Sequence, residues 1–407
     1  MNKFKQFSLI ISGFALGQGS MFLAQTWLVI QQRFELLAAV GIGLGVLSLI
    51  QWAADCGGVF LLPKQLTQEN FRGKFWSFVI ARLIFSILFV GSILIALKLI
   101  GVNQTIYEIT LYGSPAALIW SFNLSGVLDS KQRNHLAGPL SGLCWVFAST
   151  PVLLMMESEY YGLTIGVAYS AGLLCTVLIQ YYSLKSIDLN LHPTYVNAAL
   201  VFDQLKKGCK FNGAYISAQA YGRTIPILVD KFIDSHTAGI YVYAKNIANT
   251  ASQFVNFSRR VEFSSVVKLV SSNSLGIYSI LEKQKLSFVI VSIFVFLSVL
   301  SLLIFHFYDK NNYFLISQVT LILIAILFLW TVSSALGQAM VALERTGFYA
   351  LTVTSTLLMS IIFIFSTIDQ LGLVGVYIGE SAMFVVQVIV YILFFKKYLA
   401  QKSNEIA

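Results

Sequence analysis

The sequence has little charge. Only 11% of its 407 residues are Asp, Glu, Lys or Arg, against 57% hydrophobic residues, whereas average soluble chains carry roughly 25% charged residues. A soluble fold of this size has too few charges to cover its surface, because soluble monomers seldom expose apolar patches beyond a few hundred Å². The shortage excludes a soluble enzyme, a disordered chain and a secreted disulfide scaffold. Cysteine is scarce as well. Cys56, Cys144, Cys175 and Cys209 lie in or beside apolar runs without metal-ligand spacing and read as small hydrophobes. His135, His192, His236 and His306 are scattered, so no metal site and no cofactor are expected. There is no P-loop, hence no built-in ATPase. No outer loop is long enough to form a catalytic domain, so the chain is not expected to be an enzyme. The short alternating segments of a transmembrane β-barrel are also missing.

What the sequence has is long apolar runs, with a mean hydropathy of +0.77. Set against a bilayer core about 30 Å thick, they predict an all-α polytopic membrane protein with twelve transmembrane helices. The expected limits are about 7–30, 38–62, 76–100, 108–128, 137–156, 162–184, 211–230, 238–258, 286–307, 316–341, 348–368 and 372–395. The first run, from Phe7 to Ile30, is too long for the core of a signal peptide and reads as a retained span. Basic residues sort by loop. The alternate loops counted from the N-terminus, beginning with Lys3 and Lys5 and ending with Lys396, Lys397 and Lys402, hold 20 of the 27 Lys and Arg. By the positive-inside rule both termini are expected in the cytoplasm. The net charge of +9 is thereby a topology signal, and no nucleic-acid partner is expected.

The inside loop at 185–210 divides the chain into an N-terminal six-helix bundle (1–184), a cytoplasmic linker (185–210) and a C-terminal six-helix bundle with a tail (211–407). Both halves start on the same side, which permits a parallel repeat. A weak one lies about 198 residues apart: Arg33-Phe34 falls on Lys231-Phe232, Gly41-Ile42 on Gly239-Ile240, and Ala53 on Ala251. Two such bundles would enclose a central cavity; chance similarity of apolar segments is the other reading. Gly13 and Gly17, Gly41 and Gly45, and Gly375 and Gly379 are small-xxx-small pairs that let helices approach. Segment 196–210 has an apolar side (Val196, Ala199, Leu200, Phe202, Leu205) and a polar one. It reads either as a helix lying on the cytoplasmic leaflet or as a linker helix packed on the next span.

Ionisable groups inside spans cost about 2.5–3.5 kcal/mol each on insertion scales, so they face a cavity or a partner. Asp55, Arg82, Arg223, Asp230, Lys245 and Glu380 stand out. Asp55 and Arg82 sit at one depth on adjacent antiparallel spans, so a fixed ion pair and a transport role are both open. Asp230 reads as a solvated acid at the outer mouth. Arg223 lies about 18 Å along its span, near the midplane, with no acid nearby in sequence until Asp230. It is the foremost substrate-binding candidate, beside the alternative of a hydrogen-bond anchor. Lys245 shares its span with Asn246, Asn249 and Asn256, which suit hydroxyl-rich ligands; a snorkelling lysine is the other reading. Glu380 is either a proton carrier or the partner of a cation on another span. The deepest charge is a cation, which favours an anionic or phosphate-bearing ligand.

The stretch from Arg33-Phe34 through Gly41-Ile42 to Ala54-Asp55-Cys56-Gly57 resembles the first-half pattern of bacterial polysaccharide (O-antigen type, lipid-linked oligosaccharide) flippases. These belong to the multidrug/oligosaccharidyl-lipid/polysaccharide exporter superfamily. Ile227-Leu228-Val229-Asp230-Lys231-Phe232, Gly239-Ile240-Tyr241 and Ala244 to Asn249 resemble the second-half pattern. Two places depart from it. Ile225-Pro226 stands where the family often has Asp-Arg, and Pro63-Lys64-Gln65 where it tends to have Arg-Glu. The resemblance implies two six-helix bundles, alternating access and a cationic central cavity. It implies transport of an undecaprenyl-pyrophosphate-linked oligosaccharide, an O-antigen or related unit of lipopolysaccharide biosynthesis, from the cytoplasmic to the periplasmic leaflet. Arg223, Lys245 and Arg82 would be substrate-binding, and Asp55 or Glu380 would carry the coupling proton or sodium ion. Membrane lipid and the polysaccharide polymerase machinery are the further partners implied. The alternative is a multidrug or small-molecule exporter, an antiporter of the same superfamily or a major-facilitator carrier.

Overall fold

The computed structural model describes residues 3–58, 62, 71–130, 140, 142–184, 196–271, 276–308 and 312–406. Pro63-Lys64-Gln65, Pro139, His135, His192, the loop cations Lys64, Lys131, Arg133 and Lys185, and linker residues 185–195 lie outside the described residues. The protein is all-helical there. Fifteen helices run in chain order: α1 (Lys3–Ile30), α2 (Phe34–Asp55), α3 (Phe71–Ile100), α4 (Gln104–Gly113), α5 (Pro115–Trp120), α6 (Ser125–Ser130), α7 (Leu143–Leu154), α8 (Tyr161–Leu184), α9 (Ala198–Phe232), α10 (Ser235–Ser271), α11 (Ile277–Glu282), α12 (Lys285–Tyr308), α13 (Asn312–Ala342), α14 (Thr346–Leu371) and α15 (Leu373–Ile406). Seven helices among the described residues are long and apolar enough to cross a membrane. Helix α7 is apolar but shorter. Apolar side chains also point outward, such as Leu88, Ile95 and Leu99 on α3 and Phe296, Leu303 and Phe307 on α12. Water would be a poor solvent for that surface, and lipid is a good one. The chain is a multi-pass membrane protein.

Three expected elements take a different form. The span expected at 108–128 is broken into α4, α5 and α6. Pro115 occupies the first turn of α5, where its missing N–H costs nothing. Asn123 then accepts from the Ser125 N–H at 3.0 Å, a local turn that competes with helix. Segment 196–210 is continuous with the following span in the 35-residue α9. Phe202 on it is exposed while Val201 and Gln204 are buried. The span expected to end at 258 runs on to Ser271, so Arg259 is a buried helical residue and not a loop cation.

The chain forms two compact units, Met1–Arg223 and Thr224–Ala407, and the division falls inside α9. In the first, α8 packs on α7 and α4, α1 on α7, and α2 on α3, α4 and α5. The meeting of Gly17 with Gly142 is close: a Cβ on Gly17 would sit 2.6 Å from the Gly142 Cα. In the second, α13 is central, packing on α10, α12, α14 and α15, and α14 also packs on α15. Its core includes Val266, Leu269, Leu336, Met340, Tyr391 and Phe395.

Candidate functional site

In the first unit the buried charge is Arg82 on α3. Its Nη2 donates to Asp55 Oδ1 at 2.6 Å and its Nε to the Asp55 carbonyl at 2.9 Å. Nη1 donates to the carbonyls of Asn123 (3.0 Å) and Ser121 (3.4 Å). The guanidinium carbon lies 4.5 Å from the centre of the Phe78 ring. Arg82 is fully buried and Asp55 nearly so. The acid sits at the end of α2, where Cys56 adopts left-handed φ of 48° and terminates the helix. A second layer holds the first. Gln180 on α8 donates to Asn123 Oδ1 at 3.0 Å and accepts from the Leu124 N–H at 2.8 Å. Asn123 Nδ2 reaches Asp55 Oδ1 at 3.3 Å. One guanidinium therefore ties α2, α3 and the break between α5 and α6, where an unpaired buried charge would be untenable. Gly58 belongs to this arrangement, because a Cβ there would overlap Arg82 Nη2.

Arg223, also in the first unit, is half-buried in the last third of α9. It lies against α2, where a Cβ on Gly45 would meet its Cδ at 3.2 Å. The small residue of the Gly41/Gly45 pair thus accommodates the arginine stem.

The second unit holds Lys245 on α10 and Glu380 on α15. Lys245 Nζ donates to Glu380 Oε1 at 2.5 Å, and Tyr241 Oη donates to the same oxygen at 3.1 Å. The lysine side chain is 21% exposed and the glutamate 3%, so the cation is reachable and the acid is sealed. The structure thus brings together Asp55 with Arg82, and Lys245 with Glu380. Asp230, half-buried, accepts from Ser235 Oγ at 2.7 Å where α9 passes into α10.

A third buried cation escaped the sequence reading. Arg259 on α10 donates from Nη2 to the Thr331 carbonyl at 2.7 Å and from Nη1 to Ser334 Oγ. Its guanidinium carbon lies 4.2 Å from the Trp330 ring centre, a cation–π contact. Its Nε makes no hydrogen bond. Glu262, one turn on, instead receives the Leu286 N–H (2.8 Å) and Ser287 Oγ (2.7 Å) at the start of α12. The available signal was the absence of glycine and proline between Ile240 and Ser271, which permits one helix through both arginines. A neutral polar chain also crosses this unit: Ser333 Oγ donates to Gln387 Oε1 at 2.6 Å, and Gln387 Nε2 donates to Thr356 Oγ1 at 2.7 Å. No group of three or more His, Cys, Asp or Glu fit to hold a metal occurs among the described residues.

The whole-chain fold matches solved membrane transporters. The lipid II flippase MurJ, in an inward closed conformation, aligns over 96% of this chain and 87% of its own, with a TM-score of 0.73 and 15% identity. An inward-facing multidrug resistance MATE family transporter of the MOP superfamily aligns over 100% and 97%, with a TM-score of 0.60 and 16% identity. This chain has their transporter fold. An outward-facing MATE family transporter covers 98% of it at a TM-score of 0.50 and 14% identity. No protein-family model matches the sequence, and no curated protein matches it. At these identities the likeness concerns architecture, and the twelve-helix, two-lobed design expected from the apolar runs is the design of these transporters.

Proposed function

We propose that the protein is a flippase for an undecaprenyl-pyrophosphate-linked oligosaccharide, an O-antigen or related surface-polysaccharide unit. It moves this cargo from the cytoplasmic to the periplasmic leaflet of the bacterial inner membrane by alternating access of two six-helix bundles, with 185–210 as the cytoplasmic linker and both termini in the cytoplasm. The observation that carries this reading is the cation set inside the spans: half-buried Arg223 against α2, and Lys245, reachable on α10. Such groups suit a pyrophosphate. The fold likeness to a flippase of a lipid-linked cargo supports the same reading. Asn246, the residue after Lys245, and Asn249, one turn further along α10, suit sugar hydroxyls. Arg82, tied to Asp55, holds the cytoplasmic half of the first bundle together and meets a headgroup only when that pair opens. A proton or sodium gradient would drive the cycle, and polysaccharide polymerase machinery would receive the product.

A null strain is expected to accumulate lipid-linked repeat units in the cytoplasmic leaflet and to lose surface polysaccharide. Arg223→Ala is expected not to restore it; full restoration would remove Arg223 from the binding site. A second reading, export of small molecules, draws on the likeness to the multidrug transporter. It requires drug hypersensitivity of the null strain with normal surface polysaccharide.

A further inference from the structure

Within the first unit α9 meets α2 at two places. A Cβ on Gly208 would overlap Cys56 Sγ at the end of α2, and a Cβ on Gly45 would sit 3.2 Å from Arg223 Cδ. Gly45, Trp52 and Cys56 follow at intervals of seven and four residues, so they share one face of α2. Trp52 thus lies between the two contacts on the face turned to α9, yet 45% of it is exposed. The two helices leave an opening at that level. It is not part of a lipid-facing stripe. On α3 the outward residues Leu88, Ile95 and Leu99 follow one another along the helix. On α2, Ser48 and Leu49, one turn before Trp52, are buried, and Gly45 lies under the arginine stem. A tryptophan that anchors a helix at the membrane interface would continue an apolar stripe, not follow an arginine. The residue beside Trp52 is polar. Gln51, half-buried, accepts from Tyr169 Oη through Oε1 at 2.6 Å, which leaves its Nε2 as a donor. Tyr169 on α8 is fully buried with Trp145 edge-on at 5.7 Å, so it holds the amide in one orientation.

We infer that Trp52 and Gln51 form a subsite for a pyranose ring, the sugar joined directly to the pyrophosphate. This rests on the reading that the cargo is a lipid-linked oligosaccharide whose pyrophosphate meets Arg223. From Gly45, under the arginine, to Trp52 is seven residues, about 10 Å of helix. A diphosphate bonded to one sugar ring bridges that length. The C–H face of a pyranose is apolar and its rim is polar. The exposed indole offers a flat apolar surface to the face, and the Gln51 amide offers a donor to a hydroxyl on the rim. Small-molecule sites gain specificity in this way, from an aromatic wall and a few fixed polar groups. Arg223 then reads the charge that every cargo of this class shares, while Trp52 and Gln51 read its first sugar.

The test uses the full-length protein in nanodiscs and two short-chain prenyl pyrophosphate diesters of equal charge, one carrying a hexose and the other a methyl group. Calorimetric titration reads both affinities. Wild type is expected to bind the hexosyl diester about tenfold more tightly than the methyl diester. Trp52→Ala is expected to abolish that preference while binding the methyl diester as wild type does, and Trp52→Phe to keep most of it. Gln51→Leu is expected to reduce the preference about threefold. Wild type binding both diesters equally overturns the inference and leaves Arg223 as a headgroup contact. So does Trp52→Ala weakening both diesters by the same factor, which would make Trp52 a packing residue. If wild type binds neither diester, the inference and the proposed function both fall. Should Trp52→Ala fail to fold, the wild-type preference and its reduction in Gln51→Leu decide.

Discussion

The two units bury positive charge in opposite ways. In the first, Arg82 is enclosed by an acid, three carbonyls and an aromatic ring, and the acid is itself held by Asn123. In the second, Arg259 is equally buried but has only a carbonyl, a hydroxyl and Trp330, with one N–H left over. The acid one turn away serves a different helix. Lys245 does have an acid, yet keeps part of its surface outside. A closed network resists change because breaking it strands a charge, whereas an open one can exchange partners at lower cost. The surroundings of Arg82 in the first unit thus have the character of a fixed frame, while Arg259 and Lys245 in the second sit in more open surroundings.

Removing one partner from the closed network gives the largest expected effect. Arg82→Met leaves Asp55 buried without its counter-charge and is expected to destabilise the protein by about 3–5 kcal/mol, read as a lowered unfolding temperature in detergent. The double substitution Asp55→Asn with Arg82→Met should recover a good part of that loss, since no charge is then stranded. If the double variant is as unstable as the single, packing around Phe78 outweighs the pair. Gly58→Ala comes next: its methyl displaces the guanidinium, so it should reproduce much of the Arg82→Met loss while leaving both charges in the chain.

Arg259→Leu sharpens the contrast. It removes hydrogen bonds and a ring contact but orphans no paired acid, so the expected loss is about 1–3 kcal/mol, smaller than for Arg82→Met under identical conditions. Equal losses would mean that Arg259 is coupled to Glu262 as tightly as Arg82 is to Asp55. Tyr241→Phe deletes one hydrogen bond to Glu380 and is expected to cost about 1 kcal/mol. The smallest effect belongs to the exposed pair of Arg33 and Glu157, 3.5 Å apart. Glu157→Gln there should change stability by less than about 1 kcal/mol.

Much of the helical plan was legible because bilayer thickness imposes a length on apolar runs, and the expected spans each contain helix. Asp55 and Arg82 were legible as a pair from depth alone. Lys245 and Glu380 were each visible as charges out of place, but they are separated by 135 residues, and no spacing rule joins them. Arg259 was hidden for a different reason. Hydropathy falls where a helix leaves the apolar layer, and a helix that continues past that point looks like a loop. The turn at Asn123, which places two carbonyls on Arg82, had no signal beyond Pro115 and Asn123 themselves.

The sequence by itself determined that this chain lives in a membrane, that it is helical, and that a few charges sit where charge is costly. Composition and run length suffice for that, because the bilayer acts on every residue of a span alike. Tertiary structure alone decided which charges are partners and which partner remains reachable. Pairing depends on helices distant in the chain arriving at one depth and one face. Exposure depends on what else arrives with them, which is why Lys245 and Glu380 share a bond but not a surface.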